Sequence, residues 1–410
     1  MERKYTAMAH KALQDLYARF WTDADGGHIL PAHCGIIVEK PLMIWEVTMV
    51  LIAMETYYDA TGDEDTKNRI LRTGEYLKSV FTMEQMVGKF GEEPNLALDD
   101  AGWDIMCYLM CYRLSGDVQW AKMAQTALLG AYDHWKDGCL ENGLWYNDWK
   151  QYNDHWKSSY IVSLLISAWE LLRMTKGTSL YSQELYEQTL TLYRWVERDL
   201  RRDRVYTIAG GRGDGADLVL DVVDHLYWVD YNKDREGRDE RNGPSGGIRP
   251  HDIKELGSVS AIFANMGMAA LNVKLWEDLG EEDCLRKAIQ TSNSLERIYN
   301  NNGAYLNDRD SHTNATMLRY YVHTILATDR ATDAQRNMLF KTADNVYAGG
   351  RNNNGIYYPW WGKVCTPDNV SHPKLGYFAA NMMVNATSVT MICGAALLES
   401  LGYAPVEENT

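Results

Sequence analysis

The 410-residue sequence predicts an all-α protein, an (α/α)6 barrel of six helical hairpins, and three observations carry that expectation. Apolar residues recur three and four apart in segment after segment. Strongly apolar segments alternate with amphipathic ones, as the inner and outer helices of a two-layer assembly would. Short turns also alternate with long, ring-rich connections, so the two ends of the assembly are built differently.

The elements follow in order. Segment 2–20 is amphipathic, and the apolar run 45–60 (WEVTMVLIAMETYYDA) leads through ATGDED into the more polar 64–87. The pairing returns at 101–114 with 118–136, 158–174 with 180–201, 258–279 with 282–300 and 311–327 with 332–348. A last apolar segment, 376–401, closes the series. The turns at 60–65, 114–119, 174–179, 278–283 and 327–333 place turn-forming residues, usually Gly, past one helix. Often an acid or hydroxyl there caps the next. At the opposite end the connections 21–43, 89–100, 137–157, 202–257, 301–310 and 349–375 are long. The functional face is expected there, where the inner helices begin. Strand candidates are few and short. Nothing reads as an interdomain linker, so one domain over 1–410 is expected.

Composition narrows the partners. Lys and Arg number 41 against 56 Asp and Glu, and the net charge of −15 opposes a phosphate backbone, so no nucleic-acid partner is expected. Mean hydropathy is −0.39. No apolar run is expected to reach the roughly 18 residues of a membrane span, so no membrane partner is expected either. The first residues lack an apolar signal core, which predicts a cytoplasmic protein, or a secreted one if an N-terminal signal has been removed. The seven cysteines are odd in number, scattered and without CxxC, and read as reduced thiols. The ten histidines form no HExxH pair, and neither a metal nor a cofactor is expected. With 14 Trp and 26 Tyr against 6 Phe, polar-tipped rings are preferred beyond what core filling needs. Such rings face water or stack on a ligand such as a sugar.

The candidate chemistry lies at Asp99 and Asp100, which close the second long connection (GKFGEEPNLALDD) and open the inner helix AGWDIMCYLM. Acids at a helix start can simply cap N–H groups and meet the positive end of the dipole. Two carboxyls held close will not titrate alike, so one can act as an acid while the other stays ionised. Glycoside cleavage needs that division, and carboxyls about 5–5.5 Å apart give retention of configuration.

WEVTMVLIAMETYYDATGD, LDDAGWDIMCYLMCYRLSGD and WKSSYIVSLLISAWELLRMTKG resemble successive hairpins of glycoside hydrolase family 76, over roughly residues 40–400. That resemblance implies an (α/α)6 fold, endo-α-1,6-mannanase-like hydrolysis of an oligosaccharide or polysaccharide, and no cofactor. It implies Asp99 as nucleophile and Asp100 as general acid/base. Two departures stand out: Trp103 is followed by Asp104 where the family usually has a second Trp, and GSVSAIFANMG replaces a Thr-Tyr-Asn stretch.

Further candidates for substrate contact are Trp103 and Asp104 on the same helix, and Trp145, Tyr146, Asp148 and Trp149 in LWYNDWKQYNDHW. Trp228, Trp360 and Trp361 complete the set, the last two beside Tyr357 and Tyr358. Each ring cluster reads equally as a loop pinned by buried rings. Two other readings keep the scaffold: an unsaturated uronyl hydrolase or N-acylglucosamine epimerase, and a sugar-binding protein without turnover.

Overall fold

The computed structural model describes residues 3–33, 35–39, 44–87, 97–146, 157–203, 206–211, 217–222, 225–227, 261–305, 312–358, 361 and 381–406. Twelve main helices order the described chain. They are α1 Lys4–Phe20, α2 Trp45–Thr61, α3 Glu64–Val80, α4 Leu98–Ser115, α5 Val118–Trp135 and α6 Val162–Thr175. Then come α7 Gln183–Trp195, α8 Ile262–Leu279, α9 Glu282–Tyr299, α10 Leu318–Tyr321, α11 Asp333–Ala348 and α12 Met382–Ser400. Helices α7 and α10 run on as single π-helical turns, Val196–Leu200 and Val322–Leu326.

The chain gathers into two compact units, residues 1–82 with 114–116 and 299–410, and residues 83–113 with 117–298. In the first unit, α12 is buried from Met382 to Leu398 and packs on α1, α2 and α11. A helix apolar all round has no face to give to water, so it must be wrapped on every side. By length and composition alone Met382–Ser400 is long and apolar enough to cross a membrane, with mean hydropathy 1.4, which corrects the sequence expectation. That window is 94% buried inside the protein, as a core helix would be. In the second unit, α6 packs on α5, α7 and α8, and α8 is buried without interruption from Ile262 to Val273.

The tight turns work through local chemistry. Gly62 (φ 67°) and Gly280 (φ 72°) end α2 and α8 in the left-handed region, where a side chain would be strained. Asp63 accepts the Thr66 N–H, Asp117 that of Gln119 and Ser182 that of Leu185, while Thr332 and Gln335 form a reciprocal capping box. After α1, α5 and α9 the chain enters small antiparallel hairpins: Trp21–Thr22 with His28–Ile29, Lys136–Asp137 with Cys139–Leu144, and Asn300–Asn301 with Ala304–Tyr305. In the first unit the hairpin rests on a threonine of another outer helix. Ile29 N–H donates to Thr73 Oγ1 (3.2 Å), and Tyr305 N–H to Thr342 Oγ1 (2.8 Å).

Two expected helices differ. The segment 64–87 is not continuous: Phe81 is extended (φ −103°, ψ 139°), and a separate short helix, Met83–Val87, follows. The segment 311–327 becomes helical only at Leu318, after a run of turns.

Candidate active site

Helix α4 begins at Leu98, with Asp99 and Asp100 as its second and third residues. The Ala101 N–H reaches the Ala97 carbonyl (3.3 Å), and the Ala97 N–H donates to Asp100 Oδ2 (3.0 Å). Asp100 thus supplies the returning half of a capping box, which sets its carboxyl against the helix start. Asp99 is 7% exposed, and Asp100 is half-buried. Both lie in the first turn, where the helix dipole stabilises negative charge.

The hairpin after α5 is joined directly to this turn. Its ladder continues through Trp145 N–H to the Trp135 carbonyl (2.8 Å), and the Tyr146 carbonyl accepts the Leu98 N–H (2.9 Å). The residue beside Asp99 is therefore hydrogen-bonded to a half-buried tyrosine. A chain of rings runs on from there. Tyr146 meets Tyr160 edge-on (centroids 5.7 Å), Tyr160 meets Phe263 (4.8 Å), and Phe263 meets Trp103 (5.3 Å). Tyr160 stands in the 3-10 turn Ser159–Ile161 that opens α6, with the Ser158 hydroxyl accepting its N–H. Phe263 is the second residue of α8. The starts of α4, α6 and α8 are thereby brought to one place, with the Asp pair at that end. Gly102 makes the approach possible: a Cβ there would lie 2.0 Å from Ser163 Oγ and 2.4 Å from Ser163 Cβ on α6.

Several expectations change at this point. Trp103 is fully buried against Phe263, so it offers no face to a sugar and serves as packing beneath the site. Trp361 is also fully buried, in the first unit. Its indole N–H donates to Ser388 Oγ (3.2 Å) and its carbonyl accepts from Asn345 Nδ2 (2.9 Å). Its neighbours Tyr357 and Tyr358 are buried as well, so these three rings serve as packing and offer no stacking face. Asp104 is half-buried one turn after Asp100. Burial first, then the Asp104 charge, pushes the Tyr108 hydroxyl well above its usual range, and that hydroxyl donates to the Met86 carbonyl (2.5 Å). Trp145 is half-buried with the Lys157 ammonium 4.7 Å from its ring centre. Asp148, Trp149, Trp228 and Trp360 lie outside the described residues.

Sequence reasoning passed over Tyr160, Phe263 and Lys157. A ring at the first or second position of an inner helix was a usable signal for the first two. Lys157 had none, because its partners are distant in sequence. Among the described residues, no group of three or more His, Cys, Asp or Glu is placed to hold a metal ion. None of the described cysteines, Cys107, Cys111, Cys139, Cys284 and Cys393, is in a disulfide.

No sequence-family model matches the chain, and neither does any curated protein sequence. Solved structures do match over nearly its whole length. The family 76 α-1,6-mannanase of Salegentibacter sp. HEL1_6 superimposes with TM-score 0.61 at 16% identity, covering 96% of this chain and 100% of that one. An inactive variant of that enzyme, with two consecutive aspartates changed to asparagine, was solved with α-1,6-mannotriose (TM-score 0.62, 15% identity, 96% and 100% covered). A family 76 α-mannanase of Bacteroides thetaiotaomicron gives TM-score 0.65 at 14% identity, covering 97% and 96%. Dfg5 of Chaetomium thermophilum, in complex with glucosamine, gives 0.64 at 14% identity, covering 96% and 91%. The fold class is therefore that of the family 76 enzymes, (α/α)6.

Proposed function

We propose that the chain is a retaining glycoside hydrolase that cleaves α-1,6-mannosidic or closely related α-linkages in oligosaccharides, through Asp99 and Asp100. The observation that carries this reading is the placement of two consecutive aspartates in the first turn of an inner helix, beside the half-buried Tyr146. The shared fold adds support, since a family 76 relative is inactive when its own two consecutive aspartates are replaced.

The chemistry follows from two carboxyls with different tasks. The Asp99 carboxylate attacks the anomeric carbon while the Asp100 carboxylic acid gives its proton to the departing glycosidic oxygen. One C–O bond breaks and one forms, leaving a glycosyl ester on Asp99. Water then attacks the same carbon, Asp100 takes its proton, and the sugar leaves with its original configuration while both carboxyls return to their starting states. The hydrogen bond from Ala97 N–H holds the Asp100 carboxyl in one orientation, which suits a group that must deliver and recover a proton at one atom.

Leaving-group chemistry tests the assignment. On α-1,6-mannotriose, Asp99→Asn and Asp100→Asn should each lose roughly a thousandfold or more in kcat. On an aryl α-mannoside with a good leaving group, Asp100→Asn should recover glycosylation and Asp99→Asn should not. Hydrolysis of the trisaccharide by either variant at the parent rate would end this reading. Binding of mannotriose without any turnover by the parent protein would favour a sugar-binding role.

A further inference from the structure

Lys157 occupies an unusual setting for a lysine. Its ammonium donates to Asp137 Oδ2 (2.8 Å) and to the Asn142 carbonyl, and it lies 4.7 Å from the Trp145 ring centre and 5.7 Å from that of Trp195. Only 14% of its side chain is exposed. Two indoles, a carboxylate and a carbonyl thus surround one cation. Trp195 forms the floor: it is buried, and Gly143 (φ 85°) lies so close that a Cβ there would sit 2.0 Å from the indole. Trp145 is half-buried and adjoins Tyr146, whose carbonyl is bonded to the N–H beside Asp99.

We infer that Lys157 is a positioning residue for a sugar platform made by Trp145 and Tyr146, which takes the pyranose ring next to the one cleaved at Asp99 and Asp100. This inference rests on the hydrolase reading and deepens it. The ammonium fixes the Trp145 indole by attraction to its face, and the strand carrying Trp145 delivers Tyr146 to the start of α4. Tyr160, edge-on to Tyr146, holds that second ring from the other side. Rings held in this way lose little freedom when a sugar stacks on them, so affinity comes from preorganisation. The ammonium's contacts are with the hairpin and the two indoles. The effect should therefore fall on binding of longer substrates and leave the chemical step alone.

Steady-state kinetics on α-1,6-linked mannotriose, compared with an aryl α-mannoside carrying a single sugar, decide the matter. Lys157→Met keeps the aliphatic stem and removes the charge. It should raise KM for mannotriose about tenfold with kcat little changed, and leave the aryl mannoside unaffected. Lys157→Arg should restore most of the loss, because a guanidinium stacks on an indole and still bonds Asp137. A merely structural lysine would depress kcat on both substrates together with the melting temperature, and that pattern would overturn the inference. So would unchanged KM for the trisaccharide. Asp99-dependent hydrolysis by the parent protein with no substrate-length effect at Lys157 sinks the platform alone. Absence of hydrolysis by the parent protein sinks both readings.

Discussion

Helices α8 and α12, one in each unit, begin in the same way, whereas α4 does not. The fourth residue of α8, Asn265, accepts the Tyr227 N–H (3.0 Å) and donates to the Ala261 carbonyl (2.8 Å). The fourth residue of α12, Asn385, accepts the Tyr357 N–H (2.8 Å) and donates to the Asn381 carbonyl (2.9 Å). Each tyrosine is bridged to an arginine, Arg201 or Arg351, whose guanidinium lies over its ring. Each hydroxyl donates to a carboxylate from an outer element, Glu197 (2.7 Å) or Asp15 (3.0 Å). The same loop-fastening device therefore occurs twice, with side chains scattered differently along the sequence. In α4 the fourth residue is Ala101, and the second and third are the Asp pair. There the loop is fastened through the backbone, from Leu98 N–H to the Tyr146 carbonyl, and the Asp100 carboxyl accepts the Ala97 N–H at the helix start. The scaffold repeats, and the candidate chemistry sits where the repeat is broken.

The two copies of the device differ in depth, and that difference should be measurable. Arg201 is buried and donates to Asp203, Tyr227, Thr291 and Gln290. Arg351 has a side chain 23% exposed and pairs with Asp15. Removing the buried cation strands its partners, so Arg201→Met should cost about 3–5 kcal/mol in urea unfolding. Arg351→Met should cost about 1 kcal/mol. Equal costs would mean that the two fastenings do not differ as their burial indicates.

The next effect concerns the break itself. Gly102→Ala drives a methyl into Ser163, so it should destabilise by about 2 kcal/mol and lower kcat, because α4 must move with its Asp pair. Adding Ser163→Gly makes room and should recover activity. A silent Gly102→Ala would show that the close approach of α4 and α6 does not set the site.

The smallest effect is one of pH. Burial alone would raise the Asp15 carboxyl, but hydrogen bonds from Arg351, Lys11 and Tyr357 outweigh it and hold it below its usual range. A carboxyl lowered on folding stabilises fully above its unfolded pKa of about 4, and that contribution is lost as pH falls through the lower folded value. In the second unit, burial likewise opposes and His225 and Arg201 overcome it, leaving Asp203 lowered. Asp15→Asn and Asp203→Asn should therefore each flatten the loss of stability on acidification below about pH 4, as followed by unfolding at stepped pH. A parent protein whose stability rises on acidification would contradict both.

Much of the helical order was legible in the sequence because inner and outer helices differ so plainly in composition. The series 45–60, 101–114 and 258–279 lies close to α2, α4 and α8. The ring assignments were less legible for a physical reason. An inner helix is covered on all sides, so periodicity cannot tell which of its residues faces a ligand. Trp103, four residues after Asp99, is buried for that reason. Trp361 satisfies its N–H on Ser388 inside the protein, so a polar-tipped ring did not mean an exposed one. The Asn device and Lys157 were invisible because the tyrosine N–H groups that the asparagines accept, and the oxygens that Lys157 bonds, lie 15 to 38 residues away and match no local pattern.

The most direct test of the central claim is the proton NMR spectrum of the first products released from α-1,6-mannotriose. Two adjacent carboxyls acting on opposite tasks predict that the α-anomer forms first and mutarotates later, and that Asp99→Asn abolishes the signal. Initial release of the β-anomer, or the same α-product from Asp99→Asn at the parent rate, would contradict it.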